Sequence, residues 1–268
     1  MGNKYTSKTF IVEILAVLLG LVFLVPFYYV LSNSLKSFAE ILSNTSALPT
    51  TIQFQNFVNA FNQMNYLKVL SNSLIITVIS NAVLVIFCSM AAYMLVRTKK
   101  KISSIIFMAF VAAMVIPFVK VAGNLNLLNS IWGIVIMYLG FGSGMTIFLY
   151  HGFIKGIPVE LEEAAIIDGC SRLGVFWRIV FPLLKPITVT VVILNSLWIW
   201  NDFLLPSLVL QDPELRTIPL ATFFFFGQYT KQWDLALAAL VISIIPLLIF
   251  FFAMQKHIVK GITSGSIK

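Results

Sequence analysis

Long apolar runs separated by short polar breaks fill most of these 268 residues. Six runs stand out, roughly Phe10–Ser32, Leu70–Val96, Ile102–Val119, Ile131–Phe153, Pro186–Leu210 and Leu235–Met254. A helix needs about 20 apolar residues to cross the hydrocarbon core, whereas a membrane strand shows as about ten residues of alternation. The runs are unbroken, so each predicts a spanning helix, and the fold class is all-α and integral to the membrane. The third run is the shortest, and only Pro117 and Asn124-Leu-Asn126 mark its end. The chain 1–268 reads as a single membrane domain with one large polar break, the loop 154–185, and a polar tail, 256–268.

The connections add detail. Between Lys36 and Lys68, Phe54, Phe57, Val58, Phe61 and Met64 recur at helical spacing and predict a short amphipathic helix at the membrane surface. Such a helix either packs on its own bundle or touches a delivering partner. Arg97-Thr98-Lys99-Lys100-Lys101 is a tight charged turn that reads as an orientation anchor. The first run has Lys4 and Lys8 ahead of it but is too long for a signal-peptide core and lacks a small-residue cleavage site, so it is expected to be retained.

Composition agrees with the pattern: 59% hydrophobic, 10% charged and a mean hydropathy of +0.96 lie outside the soluble range. The net charge of +8 is explained by placement. With the N-terminus inside, thirteen Lys and Arg fall on the inner face and five on the outer, the bias expected of a multi-pass protein with both termini in the cytoplasm. Nucleic-acid binding is not needed to account for it, since no basic groove with interleaved aromatics is present. Cys88 and Cys170 form no disulfide framework or metal spacing. There is no GxxxxGK[ST] phosphate loop and no catalytic cluster, so the chain is not expected to be an enzyme or to bind ATP by that device.

The polar break carries most of the information. Pro158 suits a helix start, Glu160, Glu162 and Glu163 suit its first turn, and Ala164 and Ala165 favour helix. Asp168-Gly169 suits its end, Ser171 caps a second helix, and Pro182 is expected to stop that one. On these residues alone the loop is either an ordinary amphipathic connection or a docking element. The segment Glu163 to Pro182 resembles the EAA loop of the membrane subunits of binding-protein-dependent ABC importers: Glu163, Ala164, Ala165, Gly169, Ile179 and Pro182 hold the family spacing, with Phe181 in place of its Leu. The resemblance implies the six-helix, type I ABC importer permease fold with a cytoplasmic coupling helix. In it Glu163, Ala164, Ala165, Asp168 and Gly169 contact a separate ATPase, which binds ATP and Mg, leaving this chain without a cofactor.

Further residues point within the family. Asn195-Ser-Leu-Trp198-Ile-Trp200-Asn201-Asp202-Phe203, Asn72-Ser73-Leu74 and Ala91-Ala92-Tyr93 resemble the maltose-type, MalG-like permeases of carbohydrate importers. Asn195, Trp198 and Asp202 share a helical stripe with Asn201 beside it, and polar groups at membrane depth face a bundle interior or a wet cavity. They are candidates for the substrate pathway, or else bond neighbouring helices. By resemblance, Gly261, Gly265 and Lys268 of the tail reach the ATPases. The implied partners are a homologous second permease, two ATPase subunits, an extracytoplasmic sugar-binding protein and membrane lipid, in a bacterial plasma membrane. The binding protein is expected to meet the long outer segment and the Arg216–Asp234 connection. An importer of glycerol phosphate or another small polar solute would want cationic spans, and a stand-alone secondary transporter would want paired intramembrane charges; neither feature is evident.

Overall fold

The computed structural model describes residues 7–98, 103, 105–108, 122–226 and 232–265, and every regular element among them is helical. In chain order these are α1 Ser7–Ser34, α2 Phe38–Ser43, α3 Gln55–Gln63, α4 Tyr66–Arg97, α5 Ile131–Ile154, α6 Glu160–Ile167, α7 Arg172–Leu183, α8 Lys185–Asn201, α9 Leu204–Val209, α10 Ile218–Phe223 and α11 Trp233–Gly265. Four of them, α1, α4, α5 and α11, are long and apolar enough to cross a bilayer, and the pair α7 and α8, bent by 74°, adds a fifth if it is counted as one span. Most of the predicted third span, 102–119, lies outside the described residues.

Several boundaries differ from the sequence reading. The fifth run was expected to extend to Leu210. It ends at Asn201, where Asp202 takes an extended conformation (ψ 123°), and the chain resumes as the separate helix α9. The last helix does not stop at Met254 but continues through Gly265, so the tail up to that residue is helical rather than a loose polar end. The fold groups into two compact units, the chain up to Tyr66 with Ala221–Leu247, and Leu67–Leu220 with the chain from Leu248 on.

In the first unit, α1 is exposed around its whole circumference from Thr9 to Tyr29, which suits a helix surrounded by hydrocarbon. Its end turns into a compact polar knot. The Lys36 ammonium is fully buried and donates to Asn33 Oδ1 at 3.0 Å and to the Asn44 and Thr45 carbonyls at 3.0 and 3.3 Å. Its three N–H donors thus meet three oxygens, which is what makes burial of the cation tolerable. Asn56 of α3 closes the knot by donating to the Ser34 and Lys36 carbonyls at 3.0 and 2.7 Å. The helix α3 lies where the spacing predicted one, but its buried line is Asn56, Ala60 and Met64, and Phe54 and Val58 point outward.

The second unit holds the remaining structure. α8 and α9 pack against α5. Asn81 of α4 donates to Ser196 of α8 at 3.2 Å, and Asn195 of α8 donates to Thr146 of α5 at 3.1 Å, so buried amides tie the three long helices. At one end, Asn72 donates to the Glu214 and Arg216 carbonyls at 2.8 and 3.1 Å, and Ser73 accepts from the Ile218 N–H at 2.9 Å. The turn into α5 is set by Asn126 and Asn129, both at φ 54°, a left-handed conformation that Asn tolerates. Gly133 is required there: a Cβ would run into the Leu127 carbonyl.

Candidate functional site

The loop between α5 and α8 folds as two short helices joined by a sharp turn. α6 begins at Glu160, two residues after Pro158, and Glu160, Glu162 and Glu163 occupy its first turn, where the helix dipole favours negative charge. Its end is a Schellman motif. Gly169 takes φ +86°, the Gly169 N–H bonds to the Ile166 carbonyl at 3.0 Å, and the Cys170 N–H bonds to the Ala165 carbonyl at 2.9 Å. Two residues later Ser171 caps α7 by accepting from the Gly174 N–H at 3.2 Å.

α7 ends at Leu183, one residue past the Pro182 at which the sequence suggested a stop. The ring at Pro182 removes one N–H, and the preceding Phe176–Val180 segment widens into a π turn whose following residue, Phe181, bonds to the Phe176 carbonyl. The helix then breaks at Leu184, and α8 leaves at an angle of 74° with Pro186 in its first turn. Aromatic rings of Phe176, Trp177 and Phe181 crowd this corner, with centroids 5.0 to 5.9 Å apart.

The five predicted coupling residues split by exposure. Glu163, Ala164, Asp168 and Gly169 are exposed, while Ala165 is buried against the body. Apolar Leu161, Ile166, Ile167 and Leu173 are exposed beside them, Ile167 to 85%. A groove of about 480 Å³ opens next to this face, lined by Met90, Met94 and Arg97 of α4 and by Glu163, Ile166 and Leu173 of the loop. A charged, apolar and small-residue surface of this kind suits a protein partner better than a small solute.

One pair at the site was missed by sequence reasoning. Glu162, one residue before the motif, is buried and fully engaged. Its Oε1 accepts from Arg97 Nε at 2.8 Å and Nη2 at 2.6 Å, and its Oε2 accepts from the Tyr93 hydroxyl at 2.8 Å. Arg97 also donates to the Ile157 carbonyl at 3.0 Å. Side-chain exposure is 20% for Arg97 and 7% for Glu162. Arg97 had been read as an orientation anchor, and the only signal for the pair was the i, i+3 spacing of Glu162 and Ala165, which puts both on the buried face of α6.

The predicted pathway residues do not form one cluster. Asn195 and Asp202 are used within the fold. Asn195 bonds Thr146, and Asp202 accepts from the Tyr138 hydroxyl at 3.0 Å and from the Leu204 N–H at 3.0 Å. Trp198 packs edge-on against Tyr138, with centroids 5.4 Å apart, and keeps 42% of its surface exposed. Asn201 is exposed and turned onto its own helix, donating to the Leu197 carbonyl at 2.7 Å. Gly261 and Gly265 fall in the last turns of α11, and Lys268 lies outside the described residues.

The family described as "Binding-protein-dependent transport system inner membrane component" matches residues 85–264. Among curated relatives, a probable starch degradation products transport system permease protein, AmyC of Thermoanaerobacterium thermosulfurigenes, is 46% identical, covering 99% of both chains. The melibiose/raffinose/stachyose import permease protein MelC of Bacillus subtilis is 34% identical over the full length of both. Among solved structures, a chain of a bacterial ABC transporter involved in import of the acidic polysaccharide alginate superposes with a TM-score of 0.76 at 26% identity, covering 95% of this chain and 99% of that one. A second alginate transporter structure, in complex with an alginate pentasaccharide-bound periplasmic protein, shares the fold with a TM-score of 0.67 at 19% identity. Motif, fold and family match agree: the chain belongs to the inner-membrane components of binding-protein-dependent transport systems and has the fold of an ABC importer permease.

Proposed function

We propose that this chain is a permease subunit of an ATP-driven importer for a sugar or oligosaccharide. It pairs with a homologous second permease, takes its cargo from an extracytoplasmic binding protein, and rests on two ATPase subunits that bind ATP and Mg. The relatives that match over full length are named for starch products and for melibiose, raffinose and stachyose, which supports a carbohydrate cargo. The thirteen-to-five charge bias supports an inward-facing loop and cytoplasmic termini.

The observation that carries the reading is the exposed face of α6. A capped helix presents Glu163, Ala164 and Ile167 outward, exposed among the described residues. Small Ala164 lets a partner's backbone come close, and Glu163 is placed to pair with a basic residue of the ATPase. Closure of the ATPases then pushes the loop and switches the permease between inward- and outward-facing states, which is alternating access driven by a two-state element. Gly261 and Gly265 of α11, with Lys268 further along the sequence, extend the contact.

In the pathway the four candidates divide. Asp202 spends both carboxylate oxygens on Tyr138 and the backbone, and Asn195 spends its amide nitrogen on Thr146, so both tie helices together. Trp198 and Asn201 keep exposed surface, an aromatic face and an amide of the kind a sugar ring and its hydroxyls need. Affinity purification of the tagged chain tests the reading: a second permease, an ATPase and a sugar-binding protein are expected to co-purify. In proteoliposomes carrying the whole complex, Glu163→Ala is expected to abolish sugar uptake and weaken ATPase retention. Wild-type uptake by Glu163→Ala, or transport by this chain alone without ATP, would overturn it.

A further inference from the structure

We propose that Arg97, Glu162 and Tyr93 form the joint through which displacement of α6 reaches the membrane helix α4, so that Glu162 is a positioning residue for coupling, distinct from the exposed Glu163. This rests on the reading of α6 as the docking element. Besides the packing of α6 on α7, force applied to α6 has three bonded routes into the membrane. Forward along the chain it meets the π turn at Phe176–Val180, Pro182 and the 74° break at Leu184, a path interrupted twice in its backbone bonding. Backward it meets Lys155-Gly156-Ile157-Pro158, a non-helical link before α5. Sideways it meets Arg97, which is already bonded to both the loop and α6.

That lateral path is the stiff one. The planar guanidinium reaches Glu162 through Nε and Nη2 and the Ile157 carbonyl through Nη2, so one side chain grips the helix and the link that precedes it. Tyr93, one turn earlier on α4, holds the other carboxylate oxygen and packs its ring on Phe176 of α7, with centroids 5.3 Å apart. Three loop segments are therefore fixed to the last two turns of one long helix. A buried ion pair is weak evidence for added stability, because desolvation offsets much of its attraction; its directional bonds fix position instead. Glu162 is buried where Glu163 is exposed, although both line the groove beside α6, so retention of the ATPase is the reading that separates its role from docking.

The test uses the assembled importer in proteoliposomes and reads two quantities: ATPase retained on the purified complex, and ATP hydrolysed per sugar delivered. Glu162→Gln keeps the shape and removes the charge. It is expected to retain the ATPase and to raise ATP spent per sugar by about tenfold, the difference between a charge-assisted and a neutral set of bonds. Tyr93→Phe removes one bond and is expected to give a smaller rise in the same direction, which also covers the case in which Glu162→Gln assembles poorly. The double variant Arg97→Gln with Glu162→Gln is expected to rise no further than Glu162→Gln, because both cut the same joint. A wild-type ratio in both Glu162→Gln and Tyr93→Phe overturns the proposal, as does a rise that follows loss of retained ATPase. Glu163→Ala in the same assay reports on docking itself: if it alone behaves as wild type, the docking assignment fails while the ratio for Glu162→Gln still judges the joint.

Discussion

Replacing Gly169 with Ala tests how the docking helix is held. The residue sits at φ +86°, and a Cβ there would meet nothing within 4 Å, so the substitution costs conformation alone and no clash. Placing an L-residue in the left-handed region costs about 1–2 kcal/mol. If the backbone relaxes to negative φ instead, the bonds from the Gly169 and Cys170 N–H groups to Ile166 and Ala165 are lost. α6 has only 8 residues, well short of the ~12–15 at which an isolated helix becomes even marginal, so its cap matters to the whole element. A shift of about 1.4 kcal/mol is a tenfold change in the ratio of capped to uncapped loop. Hydrogen exchange at residues 169 and 170 reads that ratio directly, and both amides are expected to exchange about tenfold faster in Gly169→Ala. Gly169→Asn is expected to fall between the two, because Asn tolerates the left-handed region. Native protection in the Ala variant would refute the reasoning, since it would mean that the surrounding chain, and not the glycine, holds the turn.

Two further substitutions probe the frame around the site. Gly133→Ala drives a Cβ into the Leu127 carbonyl and is expected to destabilise the complex by about 1–3 kcal/mol, seen as a lower melting temperature in detergent. Asp202→Ala strands the buried Tyr138 hydroxyl and removes the acceptor for the Leu204 N–H, for an expected loss of about 2 kcal/mol or more by the same measurement; a matching fall in sugar affinity with unchanged stability would instead assign Asp202 to the cargo.

Features that depend on residues close in sequence were legible. Run length gave the long helices, and the spacing of Asp168, Gly169 and Ser171 gave both caps of the docking turn, because a cap bonds within three or four residues of itself. What stayed open depended on distant partners. Asn195 and Asp202 were candidates for the pathway or for bonds to neighbouring helices, and their acceptor and donor, Thr146 and Tyr138, lie 49 and 64 residues away. Arg97 and Glu162 are separated by 65 residues and fall in different segments, so neither suggested the other. Pro182 marked the end of α7 to within one residue, because the break at Leu184 follows from the lost N–H at the proline itself. The buried line of α3 shifted from Phe54 and Val58 to Asn56 and Ala60 because Asn56 is drawn inward by two carbonyls that no apolar count registers.

The widened turn also sets a phase. A π turn holds one more residue than the α turn it replaces, and each residue of a helix advances the side-chain direction by about 100°. The segment Phe176–Val180 therefore holds one residue that a regular turn would omit. Letting that turn regularise with every residue kept would leave every side chain of the motif intact, yet rotate the docking face by about 100° relative to the chain entering α8. The widened turn thus works like the keying of a shaft, and a surface chemically correct in every residue would otherwise be presented to the motor at the wrong angle.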